Sequence, residues 1–439
     1  MNESAASADM PGQSIGVIRP AHNMRPRLKK ARKHVDRLIR RVQKALHEGN
    51  LRKARFLSMK ISRSHDAKVC ALWQAARNMH RRGEHELSPN EVLVRAREVS
   101  AIAAPQDEIR VHAKPKDRWP EFRPIFSFGL IDTARQRLIK SAIEPLLSID
   151  PRQYGTQNGG RPEIVRRVLQ TIGSRQYKYV ATCDIKSFYP TVSRDWLRQS
   201  LPTGEEVITS TILVEDSHHR TRYTGHGLNK VCVSDFPLVV ASQRGLPQGA
   251  CSSPMIADYI VGQALSGINL PEGVVLKNYA DNFVVMGRRR ADVEQAVHSL
   301  GDVFERHPAG PFQLTDNGIR RIADGFEFLG YRFRRRKGRD LAVPTPKNIS
   351  KLYERLKHHI DGLRRGGDPR KLRASLKCWA NAFSAAPRAE AEIRQLLLDL
   401  LRMPEIRPLW PAFELALAPF IKAMRARLPQ HLLHQTPAE

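Results

Sequence analysis

Two aspartates stand where a carboxylate could do chemistry. Asp184 follows the apolar run 177–181, so it falls at the end of a predicted strand. Asp281 occupies the polar tip of segment 278–287, a pattern typical of a β-hairpin. Carboxylate oxygens are the ligands that hard divalent cations prefer. An isolated Asp in a turn is usually only a turn former, so the segments around this pair carry the interpretation.

Four segments follow one another along the chain. They are Cys-Asp-Ile-Lys-Ser-Phe-Tyr-Pro at 183–190, Arg-Gly-Leu-Pro-Gln-Gly-Ala at 244–250, Tyr-Ala-Asp-Asn at 279–282 and Phe-Glu-Phe-Leu-Gly-Tyr-Arg-Phe at 326–333. In this order and at these spacings they resemble the palm of reverse transcriptases, most closely the group II intron-like bacterial branch. The resemblance implies an α+β fold, a right hand with fingers, a palm of antiparallel sheet plus helices, and a helical thumb.

The resemblance also implies two-metal nucleotidyl transfer with Mg²⁺ or Mn²⁺. Its metal ligands would be the carboxylates of Asp184 and Asp281 and the backbone carbonyl of Ile185. Asn282 stands where most relatives carry a second Asp, and we include it among the catalytic residues. An amide offers an oxygen without negative charge, which should weaken metal binding. The substitution is therefore compatible with an active enzyme or with a slowed or idle one.

Five residues match the family's nucleotide site. Lys116 and Arg123, on the two sides of a predicted hairpin, would hold the incoming triphosphate. Tyr189 would exclude the 2′-hydroxyl of a ribonucleotide by its bulk. Gln248 would contact the nucleotide, and Gly249 would let the backbone approach it closely.

A primer grip is the last matching segment, and two other features depart from the family. The residues that resemble the grip are Phe328, Leu329, Gly330 and Tyr331. The lysine that commonly precedes the grip is absent, and only Arg320 and Arg321 stand nearby, which are poor proton donors at neutral pH. The block 153–162 differs from the family's usual Tyr-Gly-Phe-Arg motif. It therefore stays open which arginine of this block contacts nucleic acid.

Charge favours nucleic acid as the partner. Lys and Arg number 73 against 44 Asp and Glu, a net charge of +29 that a phosphate backbone would neutralise, although ribosomal and membrane-surface proteins share such a balance. The five cysteines include no Cys-x-x-Cys pair, which is typical of reduced, cytoplasmic thiols. The first 20 residues lack the pattern of a signal peptide, and no apolar run is long enough to span a bilayer.

Helical patterns flank the matching segments. Val35, Leu38, Ile39, Val42 and Leu46 share one face of a helix that Gly49-Asn50 should end, and helices over 52–62 and 66–79 should follow. Near the other end, a stripe of Leu352, Leu356, Ile360 and Leu363 is followed by one of Leu372, Leu376, Trp379 and Phe383. Further helices are predicted over 389–403 and 410–428.

These patterns divide the chain into five parts. We predict a loose tail at 1–26, a basic helical extension of the fingers at 27–105, fingers at 106–180, palm at 181–343 and a helical thumb with a last helix at 344–439.

The expected function is DNA synthesis on an RNA template. The expected partners are a template RNA that could be a dedicated noncoding RNA, a DNA primer or product, dNTPs, and a second copy or a partner protein, but no membrane. By analogy with other members of this family, the protein could act in antiphage defence. Two alternatives stay open: an RNA-binding maturase or scaffold with little activity, and DNA synthesis that is template-independent or protein-primed.

Overall fold

The computed structural model describes residues 24–80, 87–103, 107–116, 121–155, 158–215, 220–224, 235–336, 338–363, 365–366, 369–385, 398–399, 402 and 404. The predicted helices over 389–403 and 410–428 lie mostly or wholly outside these residues.

Three consecutive helices open the described chain: α1 (Met24–His47), α2 (Leu51–Arg63) and α3 (His65–His80). Helix α1 buries Val35, Leu38 and Val42 at helical spacing. Gly49 takes a left-handed φ of +70° after α1, and the Asn50 side chain accepts a hydrogen bond from the backbone N–H of Lys53 at 3.0 Å to begin α2. The predicted helices and the Gly-Asn boundary are confirmed.

Short helices and the first strands come next along the chain. They are α4 (Pro89–Arg95), β1 (Ile109–Pro115), β2 (Phe122–Ser127), α5 (Leu130–Ile143), α6 (Gly160–Gly173), β3 (Tyr179–Ile185), α7 (Phe188–Thr191), α8 (Arg194–Ser200), α9 (Glu205–Val207), β4 (Thr221–Thr224), α10 (Asp235–Ser242) and α11 (Ser253–Ser266).

The remaining elements complete the sheets and close the described chain with two helices. They are β5 (Val275–Tyr279), β6 (Asn282–Gly287), α12 (Arg290–Glu305), β7 (Leu314–Arg321), β8 (Phe326–Phe328), β9 (Tyr331–Arg336), β10 (Arg339–Pro344), α13 (Pro346–Leu363) and α14 (Pro369–Ala382).

The strands form three sheets among the described residues. The largest has the order β5-β6-β3-β7 and is antiparallel throughout. A second has the order β2-β1-β4, in which β4 runs parallel to β1, and a third is the antiparallel β10-β9-β8. Helices combine with mostly antiparallel sheets rather than with a parallel sheet, which fits the predicted α+β class.

Strands β3 and β6 of the four-stranded sheet pack against a core on each face, whereas strand β7 is largely exposed. In β3, Ala181, Cys183 and Ile185 join a core that also contains residues of α1–α3, α5, α11 and α12. Val180 lies on the opposite face, in a second core with residues of α6, β8–β10, α13 and α14. Because side chains alternate along a strand, Asp184 falls on the same face as Val180.

Helices α13 and α14 confirm the predicted stripes. Leu352, Leu356 and Ile360 of α13 are buried in the second core. Leu372 and Leu376 of α14 are buried in the same core.

Candidate active site

Strand pairing brings the two predicted aspartates together. Asp184 near the end of β3 lies opposite Asn282, the first residue of β6. The next backbone N–H, that of Ile185, donates to the carbonyl of Asp281 at 3.0 Å. Asp184, Ile185 and Asp281 therefore share one edge of the four-stranded sheet, although about a hundred residues separate the two aspartates in sequence.

A buried asparagine holds the turn that presents Asp281. Asn278 in β5 is fully buried, and its Nδ2 donates to the carbonyl oxygens of Ala280 at 2.8 Å and Asn282 at 3.1 Å. These bonds brace a turn in which Ala280 takes a left-handed φ of 52°, a costly conformation for a residue with a Cβ. Sequence reasoning gave Asn278 no role. The signal was a polar amide at an inward position of an apolar strand, three residues before the carboxylate.

Burial raises the pKa of both carboxylates. Burial raises the pKa of Asp184 most, and the neighbouring Asp281 raises it further. Burial also raises the pKa of Asp281, whereas its own backbone N–H, the Arg123 guanidinium and the Asn282 amide oppose that rise. Arg123 opposes the rise at Asp184 as well.

The donor atoms at this edge suit a hard divalent cation. Two carboxylates with raised pKa values gain from a nearby positive charge, and carboxylate and carbonyl oxygens are the ligands that Mg²⁺ prefers. No group of three or more His, Cys, Asp or Glu side chains in the described parts of the chain could hold a metal ion. A cation at the aspartates would therefore take further ligands from backbone, water or substrate.

The two basic residues predicted to hold a triphosphate lie on or beside strands β1 and β2, with Arg123 in β2 and Lys116 directly after β1. Arg123 of β2 pairs in register with Lys114 of β1, and its charge acts on both Asp184 and Asp281. The Lys116 ammonium lies 3.1 Å from the Glu121 carboxylate. Of the two predicted triphosphate contacts, Arg123 lowers the pKa of both aspartates by its charge, and Lys116 is paired with an acid.

The glycine-rich loop at 245–249 packs between two elements of the site. The backbone N–H of Leu246 donates to the carbonyl of Tyr189 at 2.9 Å, and the carbonyl of Gln248 accepts from the N–H of Phe126 in β2 at 2.7 Å. Gly249 has a φ of +112°, and a Cβ there would collide with the carbonyl of Phe126. The glycine thus permits close approach of the loop to β2, whereas the sequence argument invoked approach to a nucleotide.

Tyr189 lies beside the aspartate edge. It follows Ser187, whose left-handed φ of 50° turns the chain out of β3 into α7. Its ring meets that of Phe188 edge to face, with the centroids 6.1 Å apart. Burial raises its pKa most, and the charges of Asp258 and Asp281 raise it further, which places the phenol within the field of the site.

The segment predicted to be a primer grip is a tight turn between β8 and β9. Phe328 and Tyr331 face each other across the strands and are buried. Leu329 and Gly330 form the turn with positive φ values of 51° and 75°. The carbonyl of Gly330 accepts from the N–H of Thr345 at 2.9 Å, just before α13. Leu329 and Gly330, rather than their buried neighbours, are therefore the residues that a strand end could contact.

These features define a polymerase-like site: paired carboxylates on a sheet edge, an arginine beside them and a glycine loop packed against the arginine's strand. A family model described as Reverse transcriptase (RNA-dependent DNA polymerase) matches residues 114–333. This span covers half of the chain and includes all the site residues described above except Thr345, so the chain belongs to the reverse transcriptase family. Curated proteins gave no match to the chain. No helix in the described ranges is both long and apolar enough to cross a membrane.

Proposed function

We propose that the protein is an RNA-directed DNA polymerase that extends a DNA primer with dNTPs on an RNA template. The observation that carries the proposal is the pairing of β3 with β6, which joins Asp184 and Asp281 at one sheet edge beside Arg123. Family membership implies template, primer and dNTPs as the ligands of this edge.

The aspartate edge would hold the catalytic cations. Asp184, Asp281 and the carbonyl of Ile185 would be the ligands of Mg²⁺ or Mn²⁺, which when bound would activate the primer hydroxyl and offset charge on the departing pyrophosphate. Asp184 and Asp281 must be ionised for this role, and Arg123 favours that state by its charge.

Other residues would position the nucleotide. Arg123 lies where it could pair with phosphate oxygens, and Lys116 could join it after leaving Glu121. Gln248 and Gly249 would border the base or sugar from a loop held against β2. Tyr189 would exclude a 2′-hydroxyl by contact.

The architecture is proposed to follow a right hand. Residues 106–180 would be fingers, 181–343 palm and the chain from 344 a helical thumb, with α1–α3 as a basic extension of the fingers. Their exposed cations support binding of a structured RNA, because α1 and α2 together expose many Lys and Arg side chains on faces opposite their buried stripes. Assignment to the group II intron-like branch, and a role in antiphage defence, rest on the motif resemblance alone.

One observation favours a second function, an RNA-binding maturase or scaffold. The Nδ2 of Asn282 donates to the Asp281 Oδ1 at 2.8 Å, so the amide that replaces an expected carboxylate also occupies an oxygen that would bind a cation. Weak metal binding at such a site would leave the fold able to grip RNA without fast synthesis.

Primer extension separates these functions. The purified chain would receive Mg²⁺, each dNTP and a labelled DNA primer, either annealed to an RNA template, annealed to a DNA template or alone, with the double variant Asp184→Asn, Asp281→Asn as control. We expect complementary incorporation on the RNA template by the wild type only. Untemplated products, or label attached to the protein, would instead indicate the template-independent or protein-primed alternative. Tight RNA binding without incorporation under Mg²⁺ or Mn²⁺ would indicate a scaffold.

A further inference from the structure

Arg161, in the first turn of α6, joins three separate parts of the second core. Its guanidinium donates through Nη2 to the carbonyl of Leu329 in the β8–β9 turn. The guanidinium carbon lies 5.8 Å from the centroid of the Tyr331 ring and 5.0 Å from that of Phe383, the residue after α14. A single side chain of α6 thus contacts both the β8–β9 turn and the end of α14.

The turn that Arg161 contacts has an unfavourable backbone. Leu329 has a left-handed φ of 51°, which a residue with a Cβ keeps only when its surroundings impose it. Gly330 continues the turn at 75°, and a Cβ there would approach the amide of Asn348 and the guanidinium of Arg161. The hydroxyl of Tyr331 donates to the carbonyl of Ala382 at 2.7 Å, which ties the strand after the turn to α14.

The surroundings of the guanidinium disfavour its charge. Burial lowers the pKa of Arg161, and its Nε is buried without a hydrogen-bond partner among the described residues. A half-buried cation with one carbonyl and two ring faces as partners adds little net stability, because its desolvation offsets much of the attraction. An apolar side chain would fill this space at lower cost, so holding the turn is the better explanation for the arginine.

We propose that Arg161 is a positioning residue, which fixes the 329–330 turn against the end of α14 and so sets where a primer 3′ end lies relative to the aspartates. This inference rests on the proposed polymerase function and on the turn as its primer grip. The sequence left open which arginine of block 153–162 contacts nucleic acid. In this proposal Arg161 makes no such contact and acts by holding the 329–330 turn.

The test compares three variants on a primer annealed to an RNA template. Arg161→Met keeps a long apolar side chain without donors, Arg161→Lys keeps a cation without the planar guanidinium, and Arg167→Met is the control. Arg167 is an exposed arginine of the same helix that bonds to Glu163. The measurements are kcat and the dNTP KM for single-nucleotide addition, the Kd of the primer–template by anisotropy, and the fluorescence of 2-aminopurine at the primer 3′ end without dNTP.

We expect Arg161→Met to lower kcat by about ten- to a hundredfold, because a displaced primer end misaligns its hydroxyl. The dNTP KM and the primer–template Kd should stay close to wild type, and the 2-aminopurine signal should change. Arg161→Lys should recover part of the loss, and Arg167→Met should behave like wild type in every measurement.

Different results overturn different claims. A wild-type chain that adds no nucleotide to any primer would overturn the proposed function and this inference with it. An active wild type with unchanged kcat and 2-aminopurine signal in Arg161→Met would overturn this inference alone. Should Arg161→Met fail to fold, as judged by its thermal unfolding, Arg161→Lys decides: a kcat and primer-end signal equal to wild type would overturn the positioning role.

Discussion

Two regions of this protein concentrate charge in opposite ways. The aspartate edge, made of Asp184, Ile185 and residues 278–282, holds two half-buried carboxylates whose pKa values are raised, on a turn with one left-handed residue. The basic helices α1–α3 instead place many cations on exposed faces, opposite apolar stripes that pack into the core. The aspartate edge holds a few charges that are partly desolvated, whereas the basic helices carry many charges that stay in contact with water.

The difference indicates a division of work. Under the proposed function, chemistry at a phosphorus atom would need a few groups held in fixed positions, which would explain the desolvation, repulsion and backbone strain at the edge. Affinity for a phosphate backbone needs only many solvated cations, each of which adds a small, salt-dependent share. Changes at the edge should therefore affect rate steeply, and changes on the helices should affect binding gradually.

The largest effect should come from the carboxylates themselves. Asp184→Asn or Asp281→Asn should lower primer extension by about a thousandfold or more, because each removes charge from a site with few ligands to spare. Single-turnover incorporation with Mg²⁺ would measure this, with RNA affinity as the control. Either variant extending primers at near-normal rate would contradict the assignment of this edge.

The same variants should show the opposite effect on stability. A carboxyl whose folded pKa is raised above its usual 3.8 contributes stability at acid pH that is lost as pH rises through the folded value. An Asn side chain does not ionise, so the variants lose no stability in this way as the pH rises. Both variants should therefore unfold at a higher temperature than wild type at pH 8, with the gap closing towards pH 4, whereas wild-type activity should fall as the aspartates become protonated. A variant less stable than wild type at pH 8 would count against stored repulsion at the edge.

The next largest effect should come from Asn278. Asn278→Ala removes both bonds that brace the turn, so kcat should fall by about ten- to a hundredfold through displacement of Asp281. The exposed Asn381 of α14 gives a matched control, Asn381→Ala, which should leave kcat unchanged. Equal rates for the two variants would show that the turn holds its shape without the amide.

A gradual effect is expected on the basic helices. Changing Arg37, Arg40 and Arg41 of α1 to Gln should weaken RNA binding and lower its salt dependence by about one slope unit for each phosphate that the helix no longer neutralises. Single-nucleotide addition on a short preformed primer–template should change little. A control variant with equal loss of charge carries Gln on and beside α12, at Arg288, Arg290 and Arg306. Similar salt slopes in both variants would mean that α1 is only a solvated surface.

The smallest effect is expected at Asn282. Asn282→Asp restores a carboxylate and removes the amide bond to Asp281, so it should lower the Mg²⁺ concentration for half-maximal activity by a few fold, about 1 kcal/mol or less. Titration of Mg²⁺ at fixed dNTP would measure it. A marked loss of activity would show that the amide has a function that a carboxylate cannot replace.

Sequence alone determined the elements whose pattern is local. The apolar stripes of α1, α13 and α14, the Gly-Asn boundary before α2 and the strand–turn–strand around Asp281 follow from periodicity and turn chemistry within about twenty residues. The family resemblance rests on motifs of the same local kind, and the match over 114–333 confirms the family. The intron-like branch, the defence role and the five-part division stay predictions.

Only the tertiary structure decided which side chains meet. Asp184 reaches Asp281 through the register of β3 and β6, Gln248 and Gly249 pack on Phe126 rather than standing free, and Lys116 is paired with Glu121. The carbonyl partners of Asn278 and Arg161 likewise became visible only in the structure. The physical reason is that a pattern fixes which face of an element is apolar, whereas the partner of a polar atom depends on how distant segments pack together.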